Sequence, residues 1–185
     1  MVSTQRERLH PHKFTLWVAM ASIVMMFAGL TSAYIVKMNQ ANWEEVRTPV
    51  EFWYSTAAIL LSSLTIQMAL RAFKQREMRH YRMLLLATAI LGVAFVYFQW
   101  QGFSWMWDNG VRFRGAGAGQ FLYIIAGLHG LHVVGGIVAL VVVLIKALTG
   151  RTKTYSAVPV EVLSTYWHFV DALWLYLLVF FIWIG

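Results

Sequence analysis

The sequence has no cysteine and only three prolines, and charged residues make up 12% of its 185 positions. Without cysteine the chain holds no disulfide framework, no thiolate metal site and no cysteine-bridged copper centre. A soluble domain carries charges at about a quarter of its positions, so this composition excludes one. The glycine-rich stretch from Gly110 to Gly119 is followed by no Lys-Ser or Lys-Thr pair, which excludes a phosphate loop. Residues 1–13 are basic and polar and run directly into apolar sequence with no small-residue cleavage site. A removable signal peptide is therefore not expected, and thirteen residues are too few for a transit peptide.

What is there is apolar: 59% of the residues are hydrophobic and 16% aromatic. Five runs are long enough to cross about 30 Å of hydrocarbon at 1.5 Å per helical residue. They are Phe14–Val36, Phe52–Phe73, Met83–Phe103, Phe121–Leu148 and Val160–Ile184. The connections are short, so residues 1–185 read as a single transmembrane domain, an all-α polytopic bundle of five helices.

The net charge of +7 does not point to nucleic acid, because the basic residues cluster between the apolar runs, where lipid headgroups lie. The N-terminal segment holds three Lys or Arg, the second connection five and the fourth three, against four on the other side. That asymmetry predicts a cytoplasmic N-terminus and an outside C-terminus. In the first run Ala28, Gly29, Ser32 and Ala33 form small-xxx-small pairs that predict close packing against protein. His10-Pro11-His12 reads as interfacial rather than as a metal site. Glu44, Glu45 and Glu51 read as solvated, and Trp105 and Trp107 as an aromatic belt.

The costly residues lie in the last two runs. His129 and His132 share a face of the fourth, and His168 and Asp171 share a face of the fifth. An ionised Asp at mid-bilayer costs about 2.5–3.5 kcal/mol on insertion scales, so its presence needs a reason. Polar groups there either lock helices together or handle protons, and the first reading is favoured. Counted along each helix, His132 and Asp171 lie about 17 and 18 Å deep, which predicts that they meet at the midplane. Haem ligation is disfavoured, because an i, i+3 histidine pair on one helix cannot sandwich a porphyrin.

Gly127-Leu128-His129-Gly130-Leu131-His132-Val133-Val134-Gly135, followed by Tyr166-Trp167-His168-Phe169-Val170-Asp171-Ala172-Leu173-Trp174-Leu175, resembles the paired signature of subunit III of the haem-copper cytochrome oxidases. Phe27-Ala28-Gly29-Leu30 with Ser32-Ala33-Tyr34 resembles an earlier helix of that family. Lys146 and Glu161 fall where it carries a basic and an acidic residue. The resemblance implies a non-catalytic subunit beside catalytic subunit I of a proton-pumping terminal oxidase. That enzyme takes electrons from cytochrome c, with haem and copper in the partner subunits and none in this chain. It implies steadying of subunit I, help with proton uptake, and phospholipid binding, for which Lys146 and Glu161 are the candidates.

Three departures accompany it. The family commonly has seven helices, of which these five resemble the last, and the short form points to a bacterial cell membrane. Ser22 is followed by Ile23 where many members carry a carboxylate, and the acid that usually follows Gln99 is absent from Gln101-Gly102-Phe103. Both departures weaken a carboxylate-based proton route. The alternatives are the same subunit in a quinol oxidase or nitric oxide reductase, or a free-standing haem-binding or transport protein.

Overall fold

A computed structural model describes residues 11–38, 49–111, 118–149 and 157–184. They form five helices: α1 Pro11–Met38, α2 Glu51–Lys74, α3 Met78–Asp108, α4 Ala118–Leu148 and α5 Val158–Ile184. All five are long and apolar enough to cross a membrane, and there is no strand among the described residues. The protein is an all-helical, multi-pass membrane protein. His10, Glu44, Glu45 and the side chain of His12 lie outside what is described.

Each helix matches a predicted run but extends beyond it. The largest difference is α3, which begins five residues before Met83 and ends five after Phe103. Hydropathy marks where a helix leaves hydrocarbon, whereas hydrogen bonding carries it on into the interface until a cap intervenes. At the far end of α3 the cap is Gly110 at φ 85°, with the Val111 N–H returning to the Met106 carbonyl at 3.0 Å. The same wrap closes α2, where Arg76 takes φ 61° and the Glu77 N–H reaches the Ala72 carbonyl at 3.0 Å. Three residues then suffice to turn α2 into α3, which makes the two antiparallel neighbours. Pro159 sits in the first turn of α5, where its missing N–H costs no helical bond.

α2 and α3 form the most extensive pair; α4 packs on α3, and α5 lies across α2 and α4, with α1 against α4 and α5. Lipid tails are as apolar as leucine, so close packing and hydrogen bonds, rather than water exclusion, hold such a bundle. Two apolar clusters result. One surrounds Trp174, with Phe27, Phe52 and Phe95; the other surrounds Trp167, with Ile66, Leu85 and Leu140. The outward positions, among them Leu64, Met68, Leu86, Ile90 and Val93, are exposed and apolar.

Within this chain the small-residue stripe of α1 makes no close contact. Ala28, Gly29 and Ser32 are exposed, no atom lies within 4 Å of where a Gly29 Cβ would stand, and α1 instead buries Phe27, Thr31 and Tyr34. The buried face is offset from the small-residue stripe by one residue, about 100° of helix rotation, because two aromatic rings fill the space toward α4 and α5 better than small residues do. Close approach occurs elsewhere. A Cβ on Gly92 would come within 2.9 Å of the Trp167 ring, one on Gly102 within 2.7 Å of Phe52, and one on Gly136 within 3.1 Å of Tyr166.

Candidate functional site

The polar residues of α5 meet α2 in antiparallel register. Trp174 is fully buried and its indole N–H donates to Thr56 Oγ1 at 2.9 Å; seven residues earlier, Trp167 donates to Ser62 Oγ at 2.9 Å. Both hydroxyls pass their own protons to helix carbonyls, Thr56 to Phe52 and Ser62 to Ile59. Neither indole nor hydroxyl is left unsatisfied in an interior without water. α2 also bonds α3, where Gln99 Nε2 donates to Ser55 Oγ at 3.1 Å and Thr65 and Thr88 meet at 2.8 Å.

His168 belongs to the α2–α5 seam. Its Nδ1 lies 2.6 Å from Ser63 Oγ and its Nε2 3.2 Å from Gln67 Oε1. One neutral tautomer satisfies both, with Nε2–H donating to Gln67 and Nδ1 accepting from Ser63. All three side chains are half-buried.

His129 is enclosed by aromatic rings. It is 0% exposed, stacks on Trp174 at 5.2 Å and 29°, and meets the edges of Phe95 at 5.8 Å and Phe27 at 6.4 Å. Neither ring nitrogen makes a hydrogen bond. His132, half-buried, bonds the Leu128 carbonyl of its own helix through Nδ1 at 2.7 Å, while its own carbonyl accepts the Tyr166 hydroxyl at 3.0 Å.

The predicted bond between His132 and Asp171 is not made. Asp171 is 3% exposed and neither carboxyl oxygen has a hydrogen-bond partner. Ser63 is within reach of that carboxyl, and in the tautomer that satisfies both contacts of His168 its one proton goes to the imidazole. Equal depth is not equal azimuth: Asp171 lines a small space with Ile59, Val133 and Gly136, whereas the ring of His132 rests on Phe27 of α1. The four residues are thus dispersed among three contacts rather than gathered into one cluster.

Near the start of α5, Glu161 bonds Lys13 of α1 at 3.0 Å and Lys74 of α2 at 3.1 Å, tying three helices together. Lys146 is exposed near the end of α4. Beside Glu161 a groove of 720 Å³ opens between α1, α4 and α5, lined by Leu16, Ala19, Ala139, Val143, Val162 and Tyr166. Among the described residues no three His, Cys, Asp or Glu side chains are grouped to hold a metal ion.

Sequence reasoning missed the α2 side of the seam. The signal was present: Ser55-Thr56 and Ser62-Ser63 are seven apart, with Gln67 four beyond Ser63, which puts them on one face of an otherwise apolar helix.

Fold and site together define a polytopic helical membrane subunit in which hydroxyls, indoles and His168 join α2 to α3 and α5, while buried His129 and Asp171 make no side-chain hydrogen bond. The family model for cytochrome c oxidase subunit III matches residues 12–185, and the chain belongs to that family. It is 33% identical to a cytochrome c oxidase subunit 3 of Nocardia farcinica over 84% of this chain and 79% of that one. It is 30% identical to one of Mycobacterium tuberculosis over 89% and 85%. A quinol oxidase subunit 3 of Staphylococcus epidermidis is 32% identical over 66% of this chain and 61% of that one. The chain is therefore subunit III of a haem-copper oxidase and works within a complex of several subunits.

Proposed function

We propose that this chain is a non-catalytic scaffold, seated on catalytic subunit I in a bacterial cell membrane. Electrons pass from cytochrome c to oxygen through haem and copper in the partner subunits. The observation that carries this reading is the trio Ser63, Gln67 and His168. These side chains lie midway along α2 and α5, half-open to the outside, where lipid offers no hydrogen-bond partner. His168 uses one end of the Gln67 carboxamide, the Oε1. Polar groups at that depth belong against protein, so the face of α2 and α5 that carries them is the docking face for a neighbouring transmembrane helix.

His129, His132, His168 and Asp171 act as packing and hydrogen-bonding elements of the scaffold, not as ligands. Asp171 is bonded directly to none of the three imidazoles, which supports the packing reading over a proton relay. Proton uptake is supported indirectly, by steadying subunit I. The charge asymmetry supports a cytoplasmic N-terminus, which puts Lys13, Lys74, Glu161 and the groove at the inner leaflet. That groove fits a phospholipid chain, with Lys146 and the lysines on Glu161 near the headgroup.

Purification through a tag on this chain should bring a haem-bearing subunit with it. His168→Leu and Gln67→Leu should lower that recovery and shorten the oxidase's working life without changing its initial rate. Recovery of the chain alone, coloured and electron-active, would defeat the proposal. The likeness to the quinol oxidase subunit keeps a second electron donor in view, and activity with reduced cytochrome c against quinol decides between them.

A further inference from the structure

Ser63 has one proton and two claimants. Its Oγ lies 2.6 Å from Nδ1 of His168 and within reach of the Asp171 carboxyl, whose two oxygens have no hydrogen-bond partner at 3% exposure. While Nε2–H of His168 donates to Gln67 Oε1 at 3.2 Å, Nδ1 is a bare acceptor and takes the Ser63 proton. Asp171 is then left unbonded in an interior without water, which is costly.

The same four side chains admit a second arrangement. A carboxamide keeps nearly the same outline when turned over, so Gln67 can put Nε2 in the place of Oε1, 3.2 Å from the imidazole, and donate to it. His168 then carries its proton on Nδ1 and donates to Ser63 Oγ, and the Ser63 hydroxyl turns to Asp171. The imidazole gives up one proton at Nε2 and takes one at Nδ1, so it stays neutral. Two hydrogen bonds become three. What the turned Gln67 lacks is a donor for Oε1, which now stands where Nε2 stood. Nε2 bonds no described residue and is not among the enclosed unpartnered atoms, so that position is open to another chain.

Resting on the docking face argued above, we propose that Ser63 is a hydrogen-bond switch set by the partner. A transmembrane helix of a neighbouring subunit that presents a hydrogen-bond donor to Gln67 favours the turned carboxamide and moves the Ser63 proton from His168 to Asp171. A helix that presented an acceptor would hold the first arrangement and leave Asp171 unbonded. The donor is favoured because it alone gives all four side chains a partner. Docking on α2 and α5 is thereby felt at the α4–α5 contact, where Asp171 lines a small space with Val133 and Gly136.

The test uses the oxidase purified through a tag on its haem-bearing subunit and washed in rising detergent, reading how much of this chain stays per haem. Gln67→Leu should lower retention about two- to tenfold, the worth of one hydrogen bond. Asp171→Leu should lower it by a similar factor, although Asp171 is too buried to meet a partner, and should at the same time make the free chain harder to unfold. Misfolding does not produce that pair of opposite signs. Asp171→Asn keeps an oxygen for Ser63 and should be retained like the unaltered chain. In a Ser63→Ala or a Gln67→Leu background, Asp171→Leu should lower retention no further. Additive losses, or no loss from Asp171→Leu alone, would overturn the switch and leave the docking face standing. Asp171→Asn as damaging as Asp171→Leu would overturn it in favour of a role for the charge. Full retention of Gln67→Leu would remove the docking face, and the switch with it.

Discussion

Gly102→Ala adds one methyl group where α3 crosses α2. The new Cβ would stand 2.7 Å from Phe52 Cε1 and 3.0 Å from Cδ1. Phe52 cannot retreat cheaply: it is 0% exposed, its ring meets the Trp174 ring at 5.6 Å and the Phe103 ring at 6.1 Å, and Trp174 is itself pinned to Thr56. Overpacking of this kind costs about 1–3 kcal/mol, from which the better helix propensity of alanine recovers about 1 kcal/mol. The net loss is about 0–2 kcal/mol. Gly127→Ala is the control, since nothing lies within 4 Å of its Cβ position and only the propensity gain remains. Unfolding of the purified protein in mixed micelles, followed by Trp emission, should therefore move in opposite directions for the two variants. Phe52→Leu should relieve Gly102→Ala with a coupling of about 1 kcal/mol or more. Equal shifts for both glycines, or additivity with Phe52→Leu, would refute the packing argument.

Thr56→Val should cost about 1–3 kcal/mol in the same assay, because it strands the buried Trp174 N–H; Thr56→Ser should restore most of it. Asp171→Asn keeps the shape of a buried side chain whose carboxyl oxygens have no hydrogen-bond partner. It should be neutral or stabilising, with unchanged proton uptake by the oxidase, and a slowed uptake would reassign Asp171 to the proton path. Glu161→Gln breaks two partly exposed ion pairs and should cost about 0–1 kcal/mol at low salt, fading toward zero in high salt; a salt-independent loss would show that Glu161 does more than pair.

Most of the fold was legible because a bilayer leaves the chain few choices. Each long apolar run must close its own backbone hydrogen bonds, and five runs give five helices. Their ends were less legible, since α3 runs on until Gly110 takes its positive φ, and hydropathy does not report a cap. The sequence also marked His129, His132, His168 and Asp171 as unusual, because polar side chains at mid-bilayer are expensive wherever they point.

Where they point was decided only by the tertiary packing. A helical repeat gives angles relative to its own axis, and the rotation of each helix against its neighbours is set by which bulky rings interlock. With Phe27 and Tyr34 taking the inner face of α1, the small-residue stripe turned outward. With Trp167 and Trp174 reaching the α2 hydroxyls, His168 was carried onto Ser63 and Gln67 and Asp171 away from His132. Composition determined that the chain lives in a membrane and how often it crosses; ring packing between helices determined which of its polar groups meet.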